Sequence, residues 1–224
     1  MKQLLYLLLF LFTLASCQQE EPMQGEGYLS LSAVTVQSAQ VVSLSRTADD
    51  KEPLGLRILK DGEVYESYEY APGTELPTGF KLPVGDYEIE AYNAAYSAKE
   101  TDKAMYYVKK SFTIEAGKLY KEELSASLYN FGVSLSLPDD FNTFFKDYTF
   151  EVTVGGRIVT LEDKETAYFP YADGAQIIYT LTATNSDGEP CSPKVERKTE
   201  VEQGTIYKIT YTIESRSLYS QISN

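Results

Sequence analysis

The chain has no histidine and no tryptophan, only two cysteines, and 20 basic residues against 33 acidic ones. Each shortage removes a class of chemistry. Without imidazole there is no Ser-His-Asp or Cys-His relay, no His-ligated metal and no histidine pH switch. The negative balance argues against a nucleic-acid ligand and against a polybasic grip on anionic lipid. Carboxylate pairs exist at Asp49-Asp50, Glu122-Glu123 and Asp139-Asp140. Neighbours on a strand point to opposite faces, so these pairs do not converge as acid–base work requires. No segment has the spacing of a calcium loop. The expectation is therefore no catalytic residue, no metal and no cofactor.

What is present begins at the N-terminus. Lys2 precedes an apolar run from Leu4 to Leu14, which is short for a bilayer span and of ordinary length for a signal segment. Leu14-Ala15-Ser16-Cys17 closes it with small residues and a thiol. This pattern resembles the lipobox of bacterial lipoproteins, which implies cleavage between Ser16 and Cys17 and a lipid on the Cys17 sulfur. A plain signal peptide that ends near a cysteine is the other reading. Loss of 1–16 removes Lys2 and takes the net charge from −13 to −14. With Cys17 lipidated, Cys191 has no partner for a disulfide. The polar stretch 17–26 reads as a tether. Its acidic Glu20-Glu21 resembles the signal that sends Bacteroidetes lipoproteins to the outer face of the outer membrane.

Beyond the tether, apolar and polar residues alternate with period 2. Leu29, Leu31 and Ala33 alternate with serines, Tyr87, Ile89 and Ala91 with Glu88, Glu90 and Tyr92, and Tyr207, Ile209 and Tyr211 with Lys208 and Thr210. This is the mark of half-buried antiparallel strands. Only the stretch from Asp139 to Phe145 looks helical, with Phe141, Phe144 and Phe145 at i, i+3 and i+4. Segments also recur in order. Tyr87–Asn93 matches Tyr179–Asn185, Ile114–Tyr120 matches Val201–Tyr207, Gly27–Leu31 echoes Gly132–Ser136, and the hairpin signal Asp61-Gly62 echoes Gly155-Gly156. The fold class expected is all-β, with two tandem β-sandwich domains of Ig-like or transthyretin-like type at 27–128 and 129–215, followed by a tail at 216–224.

Tyrosine is abundant, at 19 residues. Tyr65, Tyr68 and Tyr70 share one stretch, and Tyr92, Tyr96, Tyr106 and Tyr107 another. Tyrosine is a good strand former with an apolar body and a wet tip, so structure alone explains much of this. A cluster of exposed tyrosines flanked by Asn or Gln would instead mark a saccharide surface. A groove along an uncapped strand edge would mark a protein contact.

Leu82-Pro83-Val84-Gly85-Asp86-Tyr87, the alternating Ile89 and Ala91, and the Asp61-Gly62-Glu63-Val64 hairpin resemble an uncharacterised family of Bacteroidales lipoproteins regarded as adhesin-like. The plan is also similar to fimbrillins and fimbrial anchor proteins. The resemblance implies a lipid-anchored protein of the outer membrane, facing the exterior, that works by adhesion or fimbria-associated assembly. Its partners would be the membrane, through Cys17, and proteins at the cell surface. A glycan-binding lipoprotein of a polysaccharide-uptake system is the alternative. In fimbrillins the first strand is exchanged after a cut at an arginine. The resemblance thus points to Arg46 as a maturation site and to Leu29, Leu31 and Ala33 as edge-strand contacts.

Overall fold

The computed structural model describes residues 25–37, 52–191, 193–214 and 217–223. Ser16, Cys17 and Arg46, with the signal segment and most of the tether, lie outside the described residues. The first seven strands are β1 (Glu26–Val36), β2 (Leu54–Lys60), β3 (Glu63–Tyr70), β4 (Gly79–Pro83), β5 (Gly85–Asn93), β6 (Tyr106–Ile114) and β7 (Leu119–Leu128), with a short helix α1 (Ala94–Ala98) between β5 and β6. One ladder runs β3-β2-β5-β6 and another β4-β1-β7; they join where Tyr106 and Tyr107 pair with Leu128 and Ser127. The two ladders enclose Leu29, Leu56, Ile58, Phe80, Leu82, Tyr87, Ile89, Phe112, Ile114 and Leu124. Removing the apolar surface of these side chains from water is the main force holding the layers together.

After Tyr129 and Asn130 come β8 (Phe131–Ser136), the helical turn α2 (Phe141–Phe144), β9 (Phe145–Val154), β10 (Arg157–Thr160), β11 (Thr166–Phe169), β12 (Ile177–Asn185), β13 (Lys194–Lys198), β14 (Ile206–Glu214) and β15 (Ser217–Ser223). Their sheets are ordered β10-β9-β12-β13 and β11-β8-β14-β15. Strand for strand, β8 to β14 follow the order of β1 to β7. The parallel pair β8–β14 corresponds to the parallel pair β1–β7. A second core of Phe131, Val133, Leu135, Phe150, Val152, Phe169, Tyr179, Tyr207 and Ile209 lies between these sheets. The protein is an all-β sandwich fold.

The turns form where the sequence places them. Asp61 and Gly62 take φ of 54° and 81° between β2 and β3, and Gly155 and Gly156 take 56° and 86° between β9 and β10. Left-handed backbone at both central residues matches the right-handed twist of the flanking strands. In the Pro83-Val84-Gly85-Asp86 turn, the Tyr87 hydroxyl donates to the Pro83 carbonyl at 3.1 Å and ties the strand back to its own entry.

Two expectations change. Residues 217–223, expected within a tail, form β15, antiparallel to β14 from Lys208↔Ser223 to Glu214↔Ser217. The segment is too short and too rich in serine for a period-2 signal to stand out. Helix α1 was also unexpected, because five residues give no helical periodicity.

If the repeat reflects two folding units, residues 129–224 expressed alone will unfold in a single cooperative urea transition with a folded-state aromatic circular dichroism signal. A fragment without that signal contradicts the division.

Candidate functional site

Between β5 and β6 the chain inserts α1 and the loop 99–105, and two buried asparagines hold this insertion. Asn93, 1% exposed, uses all four of its side-chain hydrogen-bonding positions. Its Oδ1 accepts from the Tyr96 and Tyr106 amides, both at 3.0 Å, and its Nδ2 donates to Glu52 Oε1 at 2.9 Å and to the Ala104 carbonyl at 2.8 Å. Asn130, also 1% exposed, donates from Nδ2 to the Lys103 carbonyl at 2.7 Å and the Thr101 carbonyl at 3.3 Å. Its Oδ1 accepts from the Met105 amide at 3.1 Å, and its carbonyl accepts from the Gly204 amide at 2.9 Å. One residue thus joins the insertion, the β7–β8 junction and the loop before β14. α1 ends at Lys99, whose left-handed backbone (φ 58°, ψ 36°) turns the chain sharply.

The insertion lies over the outward face of the sheet β3-β2-β5-β6. There a row of alternating charge crosses the strands in register: Glu69, Arg57, Glu90 and Lys109. Glu90 Oε2 takes the Arg57 Nε–H at 2.5 Å, and its Oε1 takes the Tyr107 hydroxyl at 2.7 Å. Lys109 stands 3.8 Å from Glu90, and Arg57 Nη1 stands 4.0 Å from Glu69. The Glu90 side chain is only 5% exposed, so its charge is tolerated because it is paired and hydrogen-bonded. In the next row Tyr92 faces Tyr107, and the Arg57 guanidinium lies 5.1 Å above the Tyr92 ring. Glu90 and Tyr92 fall on the polar face of the period-2 pattern, yet both are buried, because the insertion covers them.

Tyr96, Tyr107 and Tyr129 form a three-ring cluster. Tyr96 and Tyr107 stack with centroids 4.2 Å apart and planes 10° apart, and Tyr129 meets both edge-on at 5.0 and 5.8 Å. Beside the cluster opens a cavity of about 420 Å³ lined by Arg57, Tyr92, Tyr96, Ser97, Lys99, Thr101, Met105 and Tyr129. A second hollow of about 190 Å³ shares Thr101, Met105 and Tyr129 and continues to Asn130, Tyr171 and Gln203. The two make one groove from the first strand set to the second. Tyr129 is 43% exposed and Tyr171 36%, so part of each tyrosine is offered to solvent. The Gln203 side-chain amide donates to the Tyr129 carbonyl at 2.6 Å. Burial, and then donation to Glu90, push the Tyr107 hydroxyl far above the usual phenol range.

The expected contacts Leu29, Leu31 and Ala33 do not share a free edge. From Tyr28 to Ser30, β1 is paired on both sides, with β4 and with β7, and Leu29 is fully buried. The strand that takes the edge is β4, five residues whose Gly79, Phe80, Lys81 and Leu82 gave too weak a strand signal to be placed. Only past Ser30 does β1 outrun β4, with a bulge between Leu31 and Ala33. β8 likewise lies between β11 and β14. Cys191 is a free thiol, partly buried against the second core. Of the tyrosines noted in the sequence, Tyr92, Tyr96 and Tyr107 converge. Tyr65, Tyr68 and Tyr70 instead pack on the first core. Arg57, Tyr129, Asn130 and Tyr171 carried no local sequence signal, because strand pairing and the junction bring them in from afar.

Fold and groove together define a β-sandwich protein with a preformed aromatic cleft. The chain belongs to the family of a domain of unknown function, DUF4493, whose profile matches residues 25–223. No curated protein matches its sequence. Among solved structures it is similar to a fimbrial assembly protein of Parabacteroides distasonis at 12% identity, covering 90% of this chain and 96% of that one with a TM-score of 0.46. It is similar to a protein of Bacteroides uniformis named provisionally as a cell adhesion protein, at 12% identity, 90% and 97% coverage and a TM-score of 0.46. A third likeness is to a Bacteroides thetaiotaomicron structure named provisionally for polysaccharide binding, at 10% identity, 89% and 95% coverage and a TM-score of 0.43.

Two outcomes follow from this geometry. Asn130→Ala leaves the Met105 amide and two carbonyls without partners, and is expected to cost about 2–4 kcal/mol by urea midpoint; a shift under about 0.5 kcal/mol contradicts the clamp. The raised Tyr107 value means the folded state keeps its proton where the unfolded state loses it. Its contribution is therefore complete below about pH 10 and is lost as pH rises above that. Tyr107→Phe should flatten the fall in stability between pH 9 and 11. An unchanged profile contradicts this.

Proposed function

We propose that this chain is a non-enzymatic binding protein of the bacterial cell surface, adhesin-like in its action, held to the outer membrane by lipid on Cys17. The observation that carries the binding reading is the groove. Tyrosine rings, two cations and the Gln203 amide line its adjoining hollows. A binding site needs shape, aromatic area at low entropy cost and a few fixed polar groups, and these are present together.

A saccharide suits the surface better than a protein edge does. Pyranose rings present flat C–H faces that stack on tyrosine, and hydroxyl groups that amide side chains bond. The tyrosines with Gln203 beside them are the pattern that favours a glycan, while the Asn130 amide is taken up by the insertion. The edge-strand route loses support where β4 covers β1. Adhesion through a glycan unites the two readings drawn from the sequence. Cys17 supplies the anchor, since several acyl chains on one residue hold a protein durably at about 0.8 kcal/mol per buried methylene.

Two measurements test the proposal. Metabolic fatty-acid labelling should mark the wild type and not Cys17→Ala; an unlabelled wild type removes the anchor. A glycan array probed with residues 22–224 should give hits that weaken about tenfold, or about 1.4 kcal/mol, in Tyr129→Ala. Hits that Tyr129→Ala leaves intact place binding elsewhere on the chain.

A further inference from the structure

The charge of the groove runs against the charge of the chain. The full sequence carries 33 acidic residues and 20 basic ones. The eight residues lining the larger cavity include Arg57 and Lys99 and no carboxylate. The nearby carboxylates are already engaged. Glu90 is buried and holds Arg57 and Tyr107, Glu69 receives the Tyr92 hydroxyl at 3.5 Å, and Glu100 pairs with Lys103 at 3.0 Å.

Arg57 is also held in a particular way. Glu90 takes its Nε–H and the Tyr92 ring lies beneath its plane, so the guanidinium is fixed. Among the described residues, its terminal nitrogens make only the 4.0 Å approach to Glu69, too long for a hydrogen bond. A guanidinium has five N–H donors in a planar fork that fits a carboxylate. The fork is thus positioned beforehand, on a residue that lines the cavity.

We infer that the groove selects an acidic saccharide: a glycan whose pyranose ring stacks on the exposed tyrosine while a uronate carboxylate pairs with Arg57 and Lys99. The inference rests on the saccharide reading above and adds the ligand's charge class. At long range the acidic surface opposes such a ligand, but at physiological salt that opposition fades beyond about 8 Å. The contact with Arg57 is short-range and partly desolvated, and it survives screening better.

The test is calorimetric titration of residues 22–224 with trigalacturonate, its fully methyl-esterified form and hexaglutamate. Trigalacturonate should bind at least about tenfold more tightly than the ester, equivalent to about 1.4 kcal/mol. Hexaglutamate should not bind. Arg57→Lys should lower trigalacturonate affinity by a larger factor than it lowers ester affinity. Because Arg57 also neutralises Glu90, Lys99→Asn is the second variant; asparagine accepts the left-handed backbone at this position, and the change should act in the same direction. Equal binding of acid and ester overturns the charge class but leaves a saccharide site standing. Binding of hexaglutamate as tight as that of trigalacturonate overturns it in favour of an acidic peptide. No binding of either saccharide by the folded wild type overturns the inference for this acid, and a glycan array without hits removes the saccharide reading beneath it.

Discussion

Two buried side-chain amides hold the groove in place. Asn93 and Asn130 between them satisfy the backbone of the 94–105 insertion from both ends. A loop of that length with no sheet partner would otherwise bring many polar backbone groups against the sheet without partners. With the amides in place, the insertion lies flat and carries Tyr96, Ser97, Lys99, Thr101 and Met105 to one wall of the cavity. Asn130 also bonds Gly204 through its carbonyl, so the same residue fixes the junction on which Tyr129 stands.

The covered face explains why charge and tyrosine are buried together. The cross-strand row Glu69–Arg57–Glu90–Lys109 would be an ordinary solvated face in the absence of the insertion. Under it, Glu90 loses water and depends on Arg57 and Tyr107. This is an expensive arrangement if stability were its only role, since a buried ion pair rarely outperforms apolar packing. Its return is geometric: Arg57, Tyr92 and Tyr107 are each held by at least two partners, and side chains held in this way have little freedom left to lose on binding. The second strand set lacks such an insertion. Asn185, at the place of Asn93, turns its Oδ1 to the Asp187 and Glu189 amides of a tight local turn.

Much of the sandwich was legible in the sequence, because period-2 alternation and hairpin glycines are local signals. Leu29, Ile89 and Tyr207 fall inside as the alternation requires, and Asp61-Gly62 and Gly155-Gly156 turn as their residue types demand. The recurrence of segments is reflected in the matching order of β1–β7 and β8–β14. The groove was legible only in part. Tyr92, Tyr96 and Tyr107 stood out as a cluster, but their convergence depends on strand register and on α1, which is too short to announce itself. Glu90 and Tyr92 read as exposed because alternation assigns a face and cannot tell what later covers it. The edge assignment does not hold at Leu29, which β4 covers, for a related reason. Which strand lies outermost is decided by pairings distant in sequence, and β4 is short.

The central claim is that the groove exists before any ligand arrives, held by Asn93 and Asn130. Native-state hydrogen exchange at the Met105 and Tyr106 amides measures this directly, since each donates to one of those asparagines. The account predicts protection comparable to amides in the middle of β5 and β6. Exchange at the rate of an open loop at either amide, with the core strands still protected, would contradict it.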